Sequence, residues 1–208
     1  MHLIFDFDGT LIDSFHSAVE KLVFLADELN FRKVKQQELG SLRDLSSKEL
    51  IRYLQIPIYK IPQVIFRARK EMQAEMPSLN SFFMLHETLQ QLSTTGYSLG
   101  ILTSNSVGNV SSWLRHHKMQ HLFQFIHSEA NYFGKTRLLK KIINQYKLDK
   151  SRVFYIGDET RDIEAAKQSG LHSIAVTWGF NSEKILSQHE PDFIARKPED
   201  LLTILSLC

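Results

Sequence analysis

Five short apolar runs recur along this chain, four of them followed at once by small, polar or charged residues, and that rhythm limits the folds open to it. The runs are His2-Leu3-Ile4-Phe5, Ser98-Leu99-Gly100-Ile101-Leu102, Phe123-Gln124-Phe125-Ile126, Val153-Phe154-Tyr155-Ile156 and Ser173-Ile174-Ala175-Val176-Thr177. A weaker one is Asp192-Phe193-Ile194-Ala195. Runs this short and this apolar suit strands buried on both faces of a parallel sheet. Between them, apolar residues recur at helical spacing: Leu89 and Leu92 before Gly96, then Val110, Trp113 and Leu114, then Leu138, Leu139, Ile142, Ile143 and Tyr146, then Ile163, Ala165 and Ala166 before Gly170. Strands alternating with helices predict an α/β fold, a Rossmann-like parallel sheet with helices on both faces.

One interval breaks the alternation. About 90 residues separate the first two apolar runs, far more than a crossover requires. From Ser14 to Met76 the pattern is helical: Phe15, Ala18, Val19, Leu22, Ala26 and Leu29 share one face, and Ser46-Ser47-Lys48-Glu49 offers a capping box ahead of Leu50, Ile51 and Leu54. Pro57, Pro62 and Pro77 mark breaks. The reading is a core of residues 1–13 and 81–208, with residues 14–80 a helical insertion over the sheet's C-terminal edge.

Composition narrows the partners. The 208 residues carry 25 basic and 23 acidic side chains, a net charge of +2, which gives no reason to expect nucleic acid or an anionic membrane. Cys208 is the sole cysteine, which suits a reducing, cytoplasmic setting. No apolar run is long enough to span a bilayer, and the N-terminus lacks the marks of a targeting peptide. The chain is expected to be a monomer or a weak homodimer.

Ligands of open α/β sheets bind beyond the carboxyl ends of the strands, so the residues there define the chemistry. The first strand ends in Asp6-Phe7-Asp8-Gly9-Thr10, two carboxylates at i and i+2 followed by a glycine free to turn. Carboxylates so close need a cation or a shared proton. The second strand ends in Thr103-Ser104-Asn105-Ser106, hydroxyls and an amide suited to a phosphate. The fourth ends in Gly157-Asp158-Glu159-Thr160-Arg161-Asp162, and Gly134-Lys135 opens a helix with a positive charge. Together these outline a phosphoryl-transfer site.

Asp6-Phe7-Asp8-Gly9-Thr10-Leu11, then Leu102-Thr103-Ser104-Asn105, then Lys135, then Gly157-Asp158 with Asp162, resemble the four ordered motifs of the haloacid dehalogenase-like (HAD) hydrolases. The likeness covers essentially the whole chain. Thr177-Trp178-Gly179-Phe180-Asn181 and Pro191-Asp192-Phe193-Ile194 resemble the phosphoglycolate phosphatase-like branch, and the insertion resembles its helical C1 cap. The resemblance implies a Mg²⁺-dependent phosphatase hydrolysing a small phosphomonoester, phosphoglycolate-like or sugar-phosphate-like, through an aspartyl-phosphate.

Carried over residue by residue, it makes Asp6 the nucleophile and Asp8 the acid–base residue. Asp6, the Asp8 backbone and Asp158 would hold the metal, with Asp162, or Glu159 as a weaker candidate, touching it or orienting its water. Lys135 would neutralise the phosphoryl charge, and Gly9 would line the phosphate site. The phosphate would be held by Thr103 and Ser104, or in another register by Ser104 and Asn105. Arg43, in the short segment before the capping box, is the candidate for the substrate's distal end. Arg67, Arg69 and Lys70 read as a solvated helix face, and the return linker Leu79-Asn80-Ser81-Phe82-Phe83-Met84 departs from the branch's usual Pro-Gly form. Two other functions share these motifs: a phosphomutase of the β-phosphoglucomutase type, and a non-catalytic phosphate-binding regulatory protein.

Overall fold

In the computed structural model, which describes residues 1–128 and 134–208, the apolar runs become six strands: β1 (His2–Phe5), β2 (Ser98–Thr103), β3 (Phe123–Ser128), β4 (Val153–Gly157), β5 (His172–Val176) and β6 (Phe193–Ala195). All pair in parallel, in the order β3-β2-β1-β4-β5-β6. β1 lies inside the sheet, with Phe5 opposite Ile101 on one side and Ile156 on the other. That register sets the residues following β1, β2 and β4 side by side along one edge.

Between β1 and β2 come α1 (Phe15–Leu29), α2 (Leu39–Leu42), α3 (Ser47–Tyr53), α4 (Ile61–Met72) and α5 (Leu85–Thr94). Further on are α6 (Val107–His116), α7 (Lys135–Tyr146), α8 (Thr160–Ser169), α9 (Glu183–Gln188) and α10 (Asp200–Ser206). Side chains alternate across a strand, and β1 uses both faces. Leu3 and Phe5 join one apolar cluster with residues of α5, α6 and α10, whereas Ile4 joins another with residues of α7 and α8. Burial on both sides explains why the strands read as nearly unbroken apolar runs.

The insertion has its own apolar cluster, built on Leu25, Leu29, Val34, Leu42, Leu54, Ile56 and Val64. It is less uniformly helical than its sequence pattern suggests. α1 stops where Asn30 turns left-handed at φ 52°, and an irregular stretch follows before the next short helical turn. Ser46 caps α3 as its sequence predicts, accepting from the amide of Glu49 while the Glu49 carboxylate accepts from the Ser46 amide. Pro62 lies in the first turn of α4, where a missing N–H does no harm.

The two segments that join the insertion to the sheet run side by side. The Asp13 amide donates to Asn80 O at 2.9 Å, and Ile12 bridges antiparallel to Ser81. The return segment is fixed further by Trp113, whose indole donates to Leu79 O at 2.8 Å while its ring meets Phe7 edge-on at 5.4 Å. Trp113 is fully buried. Trp113→Ala should therefore destabilise the protein by about 3–5 kcal/mol. Urea denaturation checks this, and a loss under about 1 kcal/mol would remove Trp113 from the core.

Candidate active site

The loop after β1 is wound around one carbonyl. Phe7 O accepts from the amides of Leu11 and Ile12 at 2.9 and 3.1 Å, and Gly9 completes the turn at φ 76°. Asp6 is left buried at the strand end, its amide tied to Ile156 O at 2.8 Å. Gly9 and Gly179 together flank Asp158: a Cβ on Gly9 would lie 2.2 Å from Asp158 Oδ2, and one on Gly179 2.3 Å from the same atom. Neither position tolerates a side chain unless the carboxylate moves.

Carboxylates from three segments meet here. Ligand oxygens of Asp6, Asp158 and Asp162 all lie within 4.8 Å of one another, and all three residues are buried. Lys135, at the first position of α7 and equally buried, donates to Asp6 Oδ2 at 2.6 Å and to Asp162 Oδ1. Asp162 also accepts from the Tyr155 hydroxyl and from the Glu159 amide. Asp158 accepts from the Thr10 hydroxyl and the Phe180 amide, each at 2.7 Å. Asp8 turns toward Asn105, whose Nδ2 donates to it at 3.1 Å. The Asn105 side chain is itself oriented, since its Oδ1 accepts from the Ser106 amide and from Asn109 Nδ2.

The charges do not balance. Burial, and then the neighbouring Glu159, Asp6 and Asp162 carboxylates, push the Asp158 carboxyl well above its ordinary value. Burial likewise raises Asp162 to about 6 in spite of Lys135. Asp8 is also raised, chiefly by burial, with the Asn105 amide opposing. Burial alone would push Lys135 down, but Asp162 and Asp6 together outweigh it and hold the ammonium above the usual lysine value. Glu159, the weaker metal candidate of the sequence, borders this cluster; it pairs with Arg161 and accepts from the Ser47 hydroxyl at 2.8 Å.

A cavity of about 220 Å³ opens between this edge and helices α1, α3 and α4, with Asp8, Ser104 and Asn105 among its walls. Thr103 is fully buried and accepts from the Asn105 amide at 2.9 Å, which leaves its hydroxyl proton to donate. The sequence-predicted residues Asp6, Asp8, Gly9, Ser104, Asn105, Lys135, Asp158 and Asp162 accordingly converge on one edge.

Arg43 is the exception. It is not among the residues lining the cavity; its Nη2 donates to Thr177 O at 3.1 Å and to Gly179 O at 2.8 Å. In this structure it forms a clasp between the insertion and the core. Asn181 completes the clasp, donating to Arg43 O and Leu45 O while its Oδ1 accepts from the Thr160 amide. Arg69, read from sequence as solvated, lines the cavity instead. The sequence assigns no role to Gly179, Asn181 or Asn109; the Trp-Gly-Phe-Asn segment signals the first two, and nothing in the sequence signals Asn109.

A family model described as haloacid dehalogenase-like hydrolase matches residues 3–176. The chain belongs to the haloacid dehalogenase-like hydrolases. It is 33% identical over 200 residues to a phosphoglycolate phosphatase of Synechococcus elongatus, covering 96% of this chain and 94% of that one. Pyrophosphatase PpaX of Bacillus mycoides is 24% identical over 213 residues, 98% of this chain and 96% of its own length. A haloacid dehalogenase-like family hydrolase of Streptococcus pneumoniae shares the fold, with a TM-score of 0.81 at 22% identity and coverage of 98% and 97%. Within its family this hydrolase is phosphoglycolate phosphatase-like. Such hydrolases use a divalent metal, and the residues here fit one: an all-oxygen donor set, buried, with more negative charge than Lys135 offsets.

Because Arg43 clasps backbone, Arg43→Ala should weaken closure for every substrate alike. We expect kcat/KM to fall roughly tenfold on both phosphoglycolate and a small aryl phosphate. Steady-state kinetics on the two decides; a loss confined to one of them would return the guanidinium to the substrate.

Proposed function

We propose that this hydrolase is a Mg²⁺-dependent phosphatase that cleaves a small phosphomonoester through an aspartyl-phosphate on Asp6. Residues 1–13 and 81–208 form its catalytic core, and residues 14–80 form a C1-type cap over it. The observation that carries the reading is the Lys135–Asp6 ion pair, 2.6 Å long and buried in an acid cluster beside a cavity that Asp8 lines. A dianion entering that edge needs compensating charge.

Lys135 is bonded to one carboxylate oxygen of Asp6. The other oxygen attacks phosphorus, and the bond to the alcohol oxygen breaks. Asp8, aimed by Asn105, gives its proton to that oxygen and so releases a neutral alcohol. Asp8 then removes a proton from water, whose oxygen attacks the phosphoryl group, and Asp6 leaves as a carboxylate. Thr103 and Ser104 donate to the transferring oxygens, with Asn105 reserved for Asp8. Mg²⁺, held by Asp6, Asp158 and the Asp8 backbone and supported by Asp162, would cancel phosphate charge and fix its orientation. The same residues suit a soluble metabolite encountered in the cytoplasm. An intact nucleophile, acid and lysine in one site speak against a purely regulatory role.

EDTA should abolish hydrolysis of an aryl phosphate and added Mg²⁺ restore it; full activity after exhaustive chelation would refute the metal assignment. Asp6→Asn should lower kcat by several orders of magnitude with the fold unchanged. Asp8→Asn should cost roughly 10²–10⁴-fold, most of all on poor leaving groups. Wild-type kcat in Asp8→Asn on an alkyl phosphate would move the acid–base role elsewhere.

A further inference from the structure

The cavity beside the catalytic edge is chemically lopsided. Its polar walls come chiefly from the loops beyond the strands: Ser104 and Asn105 after β2, Glu159 and Arg161 after β4, Asn181 after β5. Arg69, on α4, is the charged residue that the insertion adds to the lining. Apart from Ser14, Ser47 and Arg69, every residue that the 14–80 insertion contributes is apolar. Leu22 on α1, Ile51 on α3, and Ile65 and Ala68 on α4 are among them, so three helices present carbon to the space.

A polyol or a second carboxylate reaching that region would give up water for hydrocarbon. Each hydroxyl left without a partner costs about 1–3 kcal/mol, and an unpaired carboxylate costs far more. An alkyl or aryl group gains instead. An apolar cavity of about 150 Å³ takes up benzene, and this one measures about 220 Å³. By that scale it accommodates about six to nine carbons.

We propose that the substrate is the phosphomonoester of an apolar alcohol, its phosphate at Asp6 and its hydrocarbon body among α1, α3 and α4. This rests on the phosphatase reading and sets phosphoglycolate and sugar phosphates below such esters as substrates.

The test is a chain-length series on the full-length Mg²⁺-loaded enzyme, from ethyl to dodecyl phosphate, with phosphoglycolate, glycerol phosphate and an aryl phosphate alongside. The proposal expects kcat/KM to rise roughly threefold to fourfold per methylene. The rise should peak at about six to nine carbons, with phosphoglycolate at least tenfold below the peak. A profile that is flat or falls from ethyl phosphate, or phosphoglycolate as the best substrate, overturns it while leaving phosphatase chemistry intact. Hydrolysis of none of these esters refutes the phosphatase reading, and this proposal with it. Ala68→Phe, folded by circular dichroism, should bring hexyl phosphate down toward the ethyl phosphate value. An unaltered profile in that variant would place the hydrocarbon elsewhere.

Discussion

The ammonium of Lys135, bonded to Asp6 and Asp162 with almost no access to water, is the interaction on which the rest of the molecule depends. Burying a lysine is unfavourable unless carboxylates surround it, and burying carboxylates together is unfavourable unless a cation joins them. Here each solves the other's problem only in part. Among the described residues, the buried carboxylates of Asp6, Asp158 and Asp162 meet the one ammonium of Lys135. A divalent cation would offset the excess, and burial together with the neighbouring carboxylates pushes the Asp158 carboxyl well above its ordinary value. The fold exists to hold this arrangement: β1 brings Asp6, β4 and α8 bring Asp158 and Asp162, and the first residue of α7 brings the lysine.

The insertion is tied to the same edge. Residues 43–47 and 177–184 are stitched by Arg43 to Thr177 O and Gly179 O, by Asn181 to Arg43 O and Leu45 O, by the Ser182 amide to Arg43 O at 2.8 Å, and by Lys184 to Asp44 at 3.1 Å. Ser47 adds a bond to Glu159. These contacts hold the insertion against the catalytic edge, where exclusion of water would protect the acyl phosphate of the proposed mechanism. Because they are few, mostly to backbone and distributed over two loops, opening them requires no unfolding of either apolar core.

Much of this was legible in the sequence because parallel strands impose their own order. When Phe5 lies opposite Ile101 and Ile156, whatever follows each run arrives at a common edge, so Asp6, Thr103 and Asp158 converge by register alone. Lys135 and Asp162 follow because first-turn helix residues point back toward that edge. What was not legible depends on side-chain direction across long separations. Arg43 and its carbonyl partners are more than a hundred residues apart, and no periodicity joins them. Arg69 shares α4 with Arg67 and Lys70, yet only Arg69 faces the cavity, while Arg67 pairs with Glu28. Helical spacing separates these faces, but it does not say which one meets the sheet. Glu159 adjoins Asp158 in sequence and Asp162 lies four residues on; the collision a Cβ at Gly157 would make with Asp162 shows how closely the more distant one packs against the strand end.

The excess carboxylate charge at this edge can be measured directly. Titration of Mg²⁺ into metal-free protein by calorimetry measures it without reference to any substrate. One ion per chain should bind to the wild type and none to Asp158→Asn, while Asp44→Asn, altered only at the clasp, should bind as the wild type does. Undiminished binding to Asp158→Asn, or no binding to the wild type, would contradict the claim that a divalent cation completes the Lys135–Asp6–Asp162 cluster.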